Sequence, residues 1–354
     1  MKEKIITFTF ISYILFFSIL HIILPDKSIS NTERRTLANH PELKLTNEYI
    51  TKVDKYLLDH FPYRDTFRSI KAKFNYNILN KLDNNDIYLK DNYIFKSNYP
   101  TNNKSINNFI NKSNKILNNL TPNNNTYIMV IPDKNYYLKE NIFLTIDYNY
   151  IYNQIDTLGI TPIDIRNILE LNDYYEIDTH WRQENLFKVV EYMDTIMNFN
   201  YIKYQYNKNT FNYFYGVYYG ESAINRNPEE LTYLTNNILT NATVKYLENN
   251  NLTSIYNLDK LTSLDSYEVY LDGASSYIEI TNPSSTTSKE LVIFRDSFAS
   301  SITPLLIPYY SKITLIDNRY INSTNFSKLI KFTNQDIILM YSTLIINNSS
   351  SLKG

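Results

Sequence analysis

From Ile5 to Leu24 the chain reads IITFTFISYILFFSILHIIL, an almost unbroken apolar run preceded by Lys2 and Lys4. A helix of that length spans about 30 Å, the thickness of a bilayer core. The run outlasts a usual signal-peptide core, and Pro25-Asp26-Lys27 follows it without a small-x-small cleavage site. An uncleaved signal anchor over 1–27 is the expectation, with a cleaved signal peptide as the other reading. Lys27, Arg34 and Arg35 lie just beyond the span, so flanking charge says little about orientation.

After a polar connector from Ser28 to Leu45, the pattern turns helical. Ile50, Val53, Leu57 and Phe61 repeat at helix spacing, as do Phe67, Ile70, Phe74 and Ile78. The two amphipathic helices meet at Asp59-His60-Phe61-Pro62-Tyr63-Arg64. Ile87 to Phe95 predicts a hairpin turning at Lys90-Asp91-Asn92. Beyond it, helices and short apolar strands alternate. A helix carries Ile106, Phe109, Ile110, Ile116 and Leu117, and a strand runs from Tyr127 to Ile131 into Pro132-Asp133-Lys134. A helical stretch over 149–157 precedes an apolar piece from Ile160 to Ile165. A helix over 183–199 turns Leu186, Val189, Val190, Met193 and Met197 inward. Strands follow at Leu291–Phe294, Ile313–Ile316 and Ile337–Met340. Such alternation predicts an α/β layered fold with a mainly parallel sheet. Residues 201–289, rich in Asn and Tyr, show little periodicity. They are read as an elaboration framing a site within a single domain over 28–354. The Asn-rich stretches 102–125 and 248–251 include loops by composition.

Composition removes several chemistries. The formal net charge is −1, which offers no basic field for a nucleic-acid partner. There is no Cys, which excludes disulfides, thiolate nucleophiles and Cys-ligated metals. Of the four His, His21 lies in the apolar run, and the others sit at no metal-ligand spacing. Neither a metal nor another cofactor is expected. The 34 Tyr, beside abundant Asn, Ile and Lys, read first as a bias toward A/T-rich codons.

Two short blocks carry reactive residue types. In Asp178-Thr179-His180-Trp181, an Asp and a His two residues apart on extended chain project to one side, so a single segment supplies a base and the carboxylate that orients it. Trp181 is placed to restrict the imidazole. The plain alternative is a polar loop capping the next helix. In Phe294-Arg295-Asp296-Ser297-Phe298 a serine follows an apolar strand where a helix begins, at the usual reactive edge of a parallel sheet. Asp296-Ser297 would also make an ordinary helix cap. No Gly precedes the serine, so this is not the nucleophile elbow of α/β hydrolases. Asp133-Lys134 and Asp317-Asn318-Arg319-Tyr320 each follow a strand and either line the same edge or form solvated loops and structural ion pairs. Trp181, Arg295, Arg319 and Lys134 are the candidate substrate contacts. Tyr218 and Tyr219 would suit stacking on a sugar ring, although Tyr is too common here for that to be distinctive.

With these blocks in view, the chain resembles the DHHW family, related to the alginate O-acetylation proteins of the SGNH-hydrolase superfamily. The resemblance runs through Glu33-Arg34-Arg35, Asp59 to Arg64, Ile131 to Lys134, Asp178 to Trp181, Tyr270-Leu271-Asp272-Gly273, Arg295 to Phe298 and Ile316 to Tyr320. It implies a flavodoxin-like, SGNH-hydrolase-like three-layer fold, permuted so that the Asp-x-His block precedes the serine. It implies that Asp178 orients His180, that His180 is base and acid, and that Ser297 is the nucleophile. It implies an extracytoplasmic O-acetyltransferase acting on a cell-surface or exported polysaccharide, held in the membrane by its N-terminal helix and partnered by a multi-pass membrane O-acyltransferase. An acetylesterase and a non-catalytic glycan-binding or assembly protein of the cell envelope are the other functions compatible with this fold. Thr179 replaces the middle His of the family name, as is common in the alginate-type proteins. Without a Gly before Asp-Ser, no oxyanion hole is implied.

Overall fold

The computed structural model describes residues 2–44, 46–138, 143–247, 249–322 and 326–353. Met1 of the apolar leader and residue 248 of the Asn-rich 248–251 stretch lie outside them. The chain forms two compact units, one of Met1–Asn85 with Tyr219–Arg226 and one of Asp86–Tyr218 with Asn227–Gly354.

In the first unit the apolar run is a 22-residue helix, α1 (Lys2–Ile23), with no buried residue and a mean hydropathy of 2.1 over its most apolar stretch. It is long and apolar enough to cross a membrane. Helix α2 (Asn47–Asp59) starts where Thr46 Oγ1 accepts from the Tyr49 backbone N–H at 3.2 Å. Helix α3 (Arg64–Asn77) follows the Phe61-Pro62-Tyr63 corner, with Tyr63 in the left-handed region at φ 57°. Two of the sequence blocks meet here. Arg35 donates to the Asp59 carboxylate, Arg64 donates to Glu33, and the Ala38 backbone N–H donates to Asp59 at 2.9 Å. The hydrogen bond and charge of Arg35 pull the Asp59 pKa down to about 2.

The second unit holds a hairpin and the main sheet. Strands β1 (Ile87–Lys90) and β2 (Tyr93–Lys96) form the expected hairpin, turning at Asp91 with φ 53°. Helix α4 (Asn103–Leu117), strand β3 (Asn125–Ile131) and helix α5 (Tyr148–Ile155) follow. Strand β4 (Thr161–Pro162) is shorter than the apolar piece suggested. The next predicted helix is split. A 3₁₀ turn over Gln183–Asn185 comes first, and α6 (Phe187–Met197) begins after it. Gln183 is buried, accepting from the Leu234 backbone N–H at 2.8 Å and donating to the Ser301 carbonyl at 2.7 Å.

The region 201–289 contains extended structure that its sequence hides. Strands β5 (Asn207–Phe214) and β6 (Glu229–Thr235) pair as a hairpin. Strands β7 (Thr243–Tyr246), β8 (Asn249–Thr253) and β9 (Tyr277–Thr281) join the main sheet antiparallel. Val244 and Tyr246, like Ile278 and Ile280, face inward, while Lys245 and Glu279 alternate outward. Val244 and Tyr246 in β7, Leu252 in β8 and Tyr277, Ile278 and Ile280 in β9 stand among polar and charged residues, in runs too short to register as a strand signal.

Strand β10 (Glu290–Arg295), helix α7 (Ala299–Leu306), strand β11 (Lys312–Ile316) and strand β12 (Asp336–Ser342) complete the sheet, whose order is β8-β7-β9-β11-β10-β12-β3-β4. From β11 to β4 every pairing is parallel. Along β10, Leu291 and Ile293 pack in one core layer with Val189, Met193 and Ile302, while Val292 and Phe294 pack in the other with Ile106, Phe109 and Ile151. Helices on both faces make the three-layer α/β fold. They also explain the unbroken apolar runs of the central strands, which are buried on both sides. Each large side chain so buried contributes about 1.5–3 kcal/mol. The carboxyl ends of β3, β10, β11 and β12 share one edge, where the sheet delivers Asp133-Lys134, Asp296-Ser297, Asp317-Asn318-Arg319 and Ser342-Thr343.

Candidate active site

Ser297 stands two residues beyond β10 and is half-buried. The turn is fixed by its neighbour. Asp296 accepts from the Phe298 backbone N–H at 3.0 Å, and across the sheet edge from the Ser342 backbone N–H at 2.7 Å and hydroxyl at 2.6 Å. Asp296 therefore spends its carboxylate on anchoring the turn, and the Ser297 hydroxyl makes no helix cap. Ser297 Oγ lies 2.8 Å from His180 Nε2.

His180 Nδ1 lies 2.6 Å from Asp178 Oδ1. A carboxylate only accepts, so the ring proton sits on Nδ1 and the Nε2 lone pair faces the serine hydroxyl. The segment is not the extended chain its spacing suggested. It bends between Tyr174 and Trp181, which pair across it, and Asp178 Oδ1 also accepts from the His180 backbone N–H at 2.9 Å. This Asx-type bend brings the carboxylate to the imidazole, because Asp readily bonds the backbone two residues on. Asp178 Oδ2 accepts from the Val217 backbone N–H at 2.7 Å. Gly216 makes that approach feasible. A Cβ there would lie 2.3 Å from the Ile177 carbonyl oxygen and 2.4 Å from Asp178 Cβ.

The bend is held from below by Lys134. Its ammonium donates to the carbonyls of Tyr175, Glu176 and Asp178 at 3.1, 3.0 and 2.8 Å. It also lies 5.0 Å from the Tyr218 ring centroid. Burial depresses the Lys134 pKa to about 7, an effect only partly offset by Asp178 and the other nearby carboxylates. Glu229 accepts from the Ile177 backbone N–H at 2.7 Å and the Glu176 backbone N–H at 2.9 Å, and pairs with Arg182. Burial raises its pKa.

The imidazole is stacked by Tyr267 at 3.8 Å with an interplanar angle of 9°, and Phe298 lies tilted against it at 4.9 Å and 53°. Burial holds the Tyr267 phenol neutral, with its pKa well above the ordinary value, and its hydroxyl donates to Ser301 Oγ at 2.8 Å. Trp181 lies edge-on to Phe298, and its indole N–H is shared by the Phe298 carbonyl at 3.0 Å and Ser301 Oγ at 2.9 Å. It thus bears on the imidazole through Phe298, and the ring stacked on His180 is Tyr267. Nothing in the local sequence around Tyr267 marks it among the many tyrosines of this chain.

The four candidate substrate contacts separate. Trp181, Lys134 and Arg295 are buried, with their polar groups turned into the frame. Arg295 donates to Ser300 Oγ at 2.6 Å and the Gly273 carbonyl at 3.2 Å. Burial removes these three from direct reach of a substrate. Arg319 forms an ion pair with Asp317 at 2.6 Å and keeps about a fifth of its side chain exposed. Tyr218 is buried and donates to Thr179 Oγ1 at 3.1 Å. Asp178 is fully buried and His180 is 5% exposed, so the half-buried Ser297 is the most open of the three.

No family model matches the chain, and no curated protein matches it. Solved structures do. A DHHW family protein from Eubacterium siraeum aligns over 77% of this chain and 97% of its own, with a TM-score of 0.62 and 17% identity. Bacillus cereus PatB1, in a structure with a sulfonyl adduct, aligns over 77% and 98%, with a TM-score of 0.58 and 20% identity. A second PatB1 structure gives a TM-score of 0.57 at 19% identity. The likeness is one of fold. The three-layer α/β architecture implied by the sequence blocks is shared with these proteins.

Proposed function

We propose that this chain is an O-acyltransferase, with acetyl as the transferred group and a cell-surface or exported polysaccharide as acceptor, held at the outer face of the membrane by α1. The observation that carries this reading is the hydrogen-bond series from Asp178 through His180 to the half-buried Ser297. The resemblance of the sequence blocks to a family related to alginate O-acetylation supplies the acetyl group and the glycan. A multi-pass membrane O-acyltransferase is the donor-side partner in this scheme.

In the reaction, the Ser297 hydroxyl passes its proton to His180 Nε2 as Oγ attacks the donor acyl carbonyl. The imidazolium is stabilised by Asp178 and returns the proton to the leaving oxygen as the donor C–O bond breaks. An acyl ester of Ser297 remains. A sugar hydroxyl then gives its proton to His180 and attacks the ester carbonyl, and Ser297 recovers a proton as it leaves. Water in place of the sugar makes the same machinery an esterase. The Ser297 N–H stands at the head of α7 and is the candidate donor to the tetrahedral oxyanion.

The test uses the full chain in detergent with p-nitrophenyl acetate, following both nitrophenol release and intact mass. An acetylated chain is expected, with turnover falling on the order of 10⁴-fold in Ser297→Ala and His180→Ala. Turnover unchanged in both variants sinks the triad. Release accelerated by a polysaccharide acceptor marks the transferase, whereas full turnover into water alone marks the esterase.

A further inference from the structure

The apolar stripes of α2 and α3 do not enter a core. Phe67, Ile70, Phe74 and Ile78 lie on one face of α3, and the last three are 56%, 50% and 65% exposed. Leu57 and Phe61 continue this surface at the end of α2, at 46% and 38%. Contiguous exposed apolar surface of this kind marks a contact with something other than water. Its occupant is indicated by α1. The Phe17 ring stacks on Phe61 at 5.3 Å and meets the Phe67 ring edge-on at 5.8 Å, and Phe61 and Phe67 are themselves 5.9 Å apart. His21 Nδ1 lies 3.2 Å from the His60 carbonyl oxygen, in the same corner.

Those contacts set a depth. Phe17 precedes Leu24, the end of the apolar run, by seven residues, which is about 10 Å along a helix axis. With α1 across a bilayer, the α2–α3 corner therefore lies below the outer limit of the apolar slab. Interfacial amphipathic helices sit at about 5–10 Å of depth. On α3, Arg64 and Arg68 are paired with Glu33, while Lys71 and Lys73 are exposed and suited to meet anionic headgroups.

We infer that α2 and α3 form a lipid-embedded foot, lying in the outer leaflet of the membrane crossed by α1 and seating the apolar stripe of α3 among acyl chains of an anionic phospholipid surface. The inference rests on α1 being transmembrane and is independent of the acyl-transfer reading. It makes the first unit a platform with a fixed attitude to the bilayer, beyond a flexible tether.

The chain has no Cys, so single cysteines can be introduced and spin-labelled without removing any residue elsewhere. The full chain is reconstituted in vesicles of phosphatidylcholine and phosphatidylglycerol, with one label at a time from Ile14→Cys, Phe74→Cys, Ile78→Cys and Asp65→Cys. At about 100° per residue Asp65 falls on the face of α3 opposite Phe67, Phe74 and Ile78, in a cleft it lines with Arg68 and Asn225. Collision rates with oxygen and with a water-soluble nickel chelate are then compared. Oxygen should dominate at residues 14, 74 and 78, and nickel at residue 65. Nickel dominance at 74 and 78 with oxygen dominance at 14 overturns the foot and leaves the anchor standing. Nickel dominance at 14 as well overturns both through the premise. Shielding of 74 and 78 from both reagents, with dipolar broadening between labels, overturns the lipid assignment in favour of a second copy of this chain.

Discussion

His180 is useful only if its ring is held in one tautomer and one orientation, and each constraint has a named source. Asp178 fixes the proton on Nδ1, Tyr267 stacks on the ring with Phe298 tilted against it, and Ser297 is left opposite the lone pair. Lys134 acts one step further back, on the carbonyls of the bend that carries Asp178. Its folded-state pKa of about 7 lies below its ordinary 10.5, so between those values the unfolded chain binds the additional proton. Stability from this group therefore rises with pH across the window and is level on either side. Thermal unfolding at pH 7 and pH 9 should show the stability of the native chain rising, relative to Lys134→Met, by about 2 kcal/mol. An unchanged difference between the two chains would place the Lys134 titration outside this window. At this scale Asp178, His180 and Ser297 are legible because reactive types sit in short blocks. The burial of Lys134 and Arg295 is not, since the sequence marks them only as charged residues near strand ends, and nothing local shows that Trp181 reaches His180 only through Phe298.

Among the elements, the central strands and α4, α5 and α6 are legible because they are buried on whole faces, which imprints their periodicity. Strands β7, β8 and β9 are not, because each is short and half polar. The α2 and α3 stripes are readable as helices, but their exposure is not, since periodicity reports a face and not what covers it. The contact between residues 216–217 and the Asp178 bend is equally hidden, as it depends on the absence of a single Cβ. Gly216→Ala would push backbone against backbone at Ile177 and Asp178, separating the Val217 N–H from Asp178 Oδ2. The variant should lose about 1–3 kcal/mol of stability and at least about tenfold of its ester turnover, as a misplaced carboxylate loosens the imidazole. Thermal unfolding and nitrophenyl acetate kinetics measure both, and wild-type turnover in this variant would show that Asp178 needs no such support.

For the whole molecule, the sheet does what no local segment can. It brings Ser297 to a histidine 117 positions earlier and ties the serine turn to the end of β12 through Asp296. Parallel strands ending on one edge make that edge the natural place for chemistry, and three of the sequence blocks, Ile131 to Lys134, Arg295 to Phe298 and Ile316 to Tyr320, are delivered there. Tyr267 arrives from the irregular region, whose contribution becomes visible only once its strands are in place.

Covalent trapping with a sulfonyl fluoride tests whether Ser297 is a nucleophile activated by His180. The full chain is treated with phenylmethanesulfonyl fluoride, and intact mass and peptide mapping locate the adduct. One sulfonyl group on Ser297 is predicted, absent in Ser297→Ala and formed far more slowly in His180→Ala. An untouched chain, or an adduct that persists in Ser297→Ala, would show that Ser297 is not an activated nucleophile.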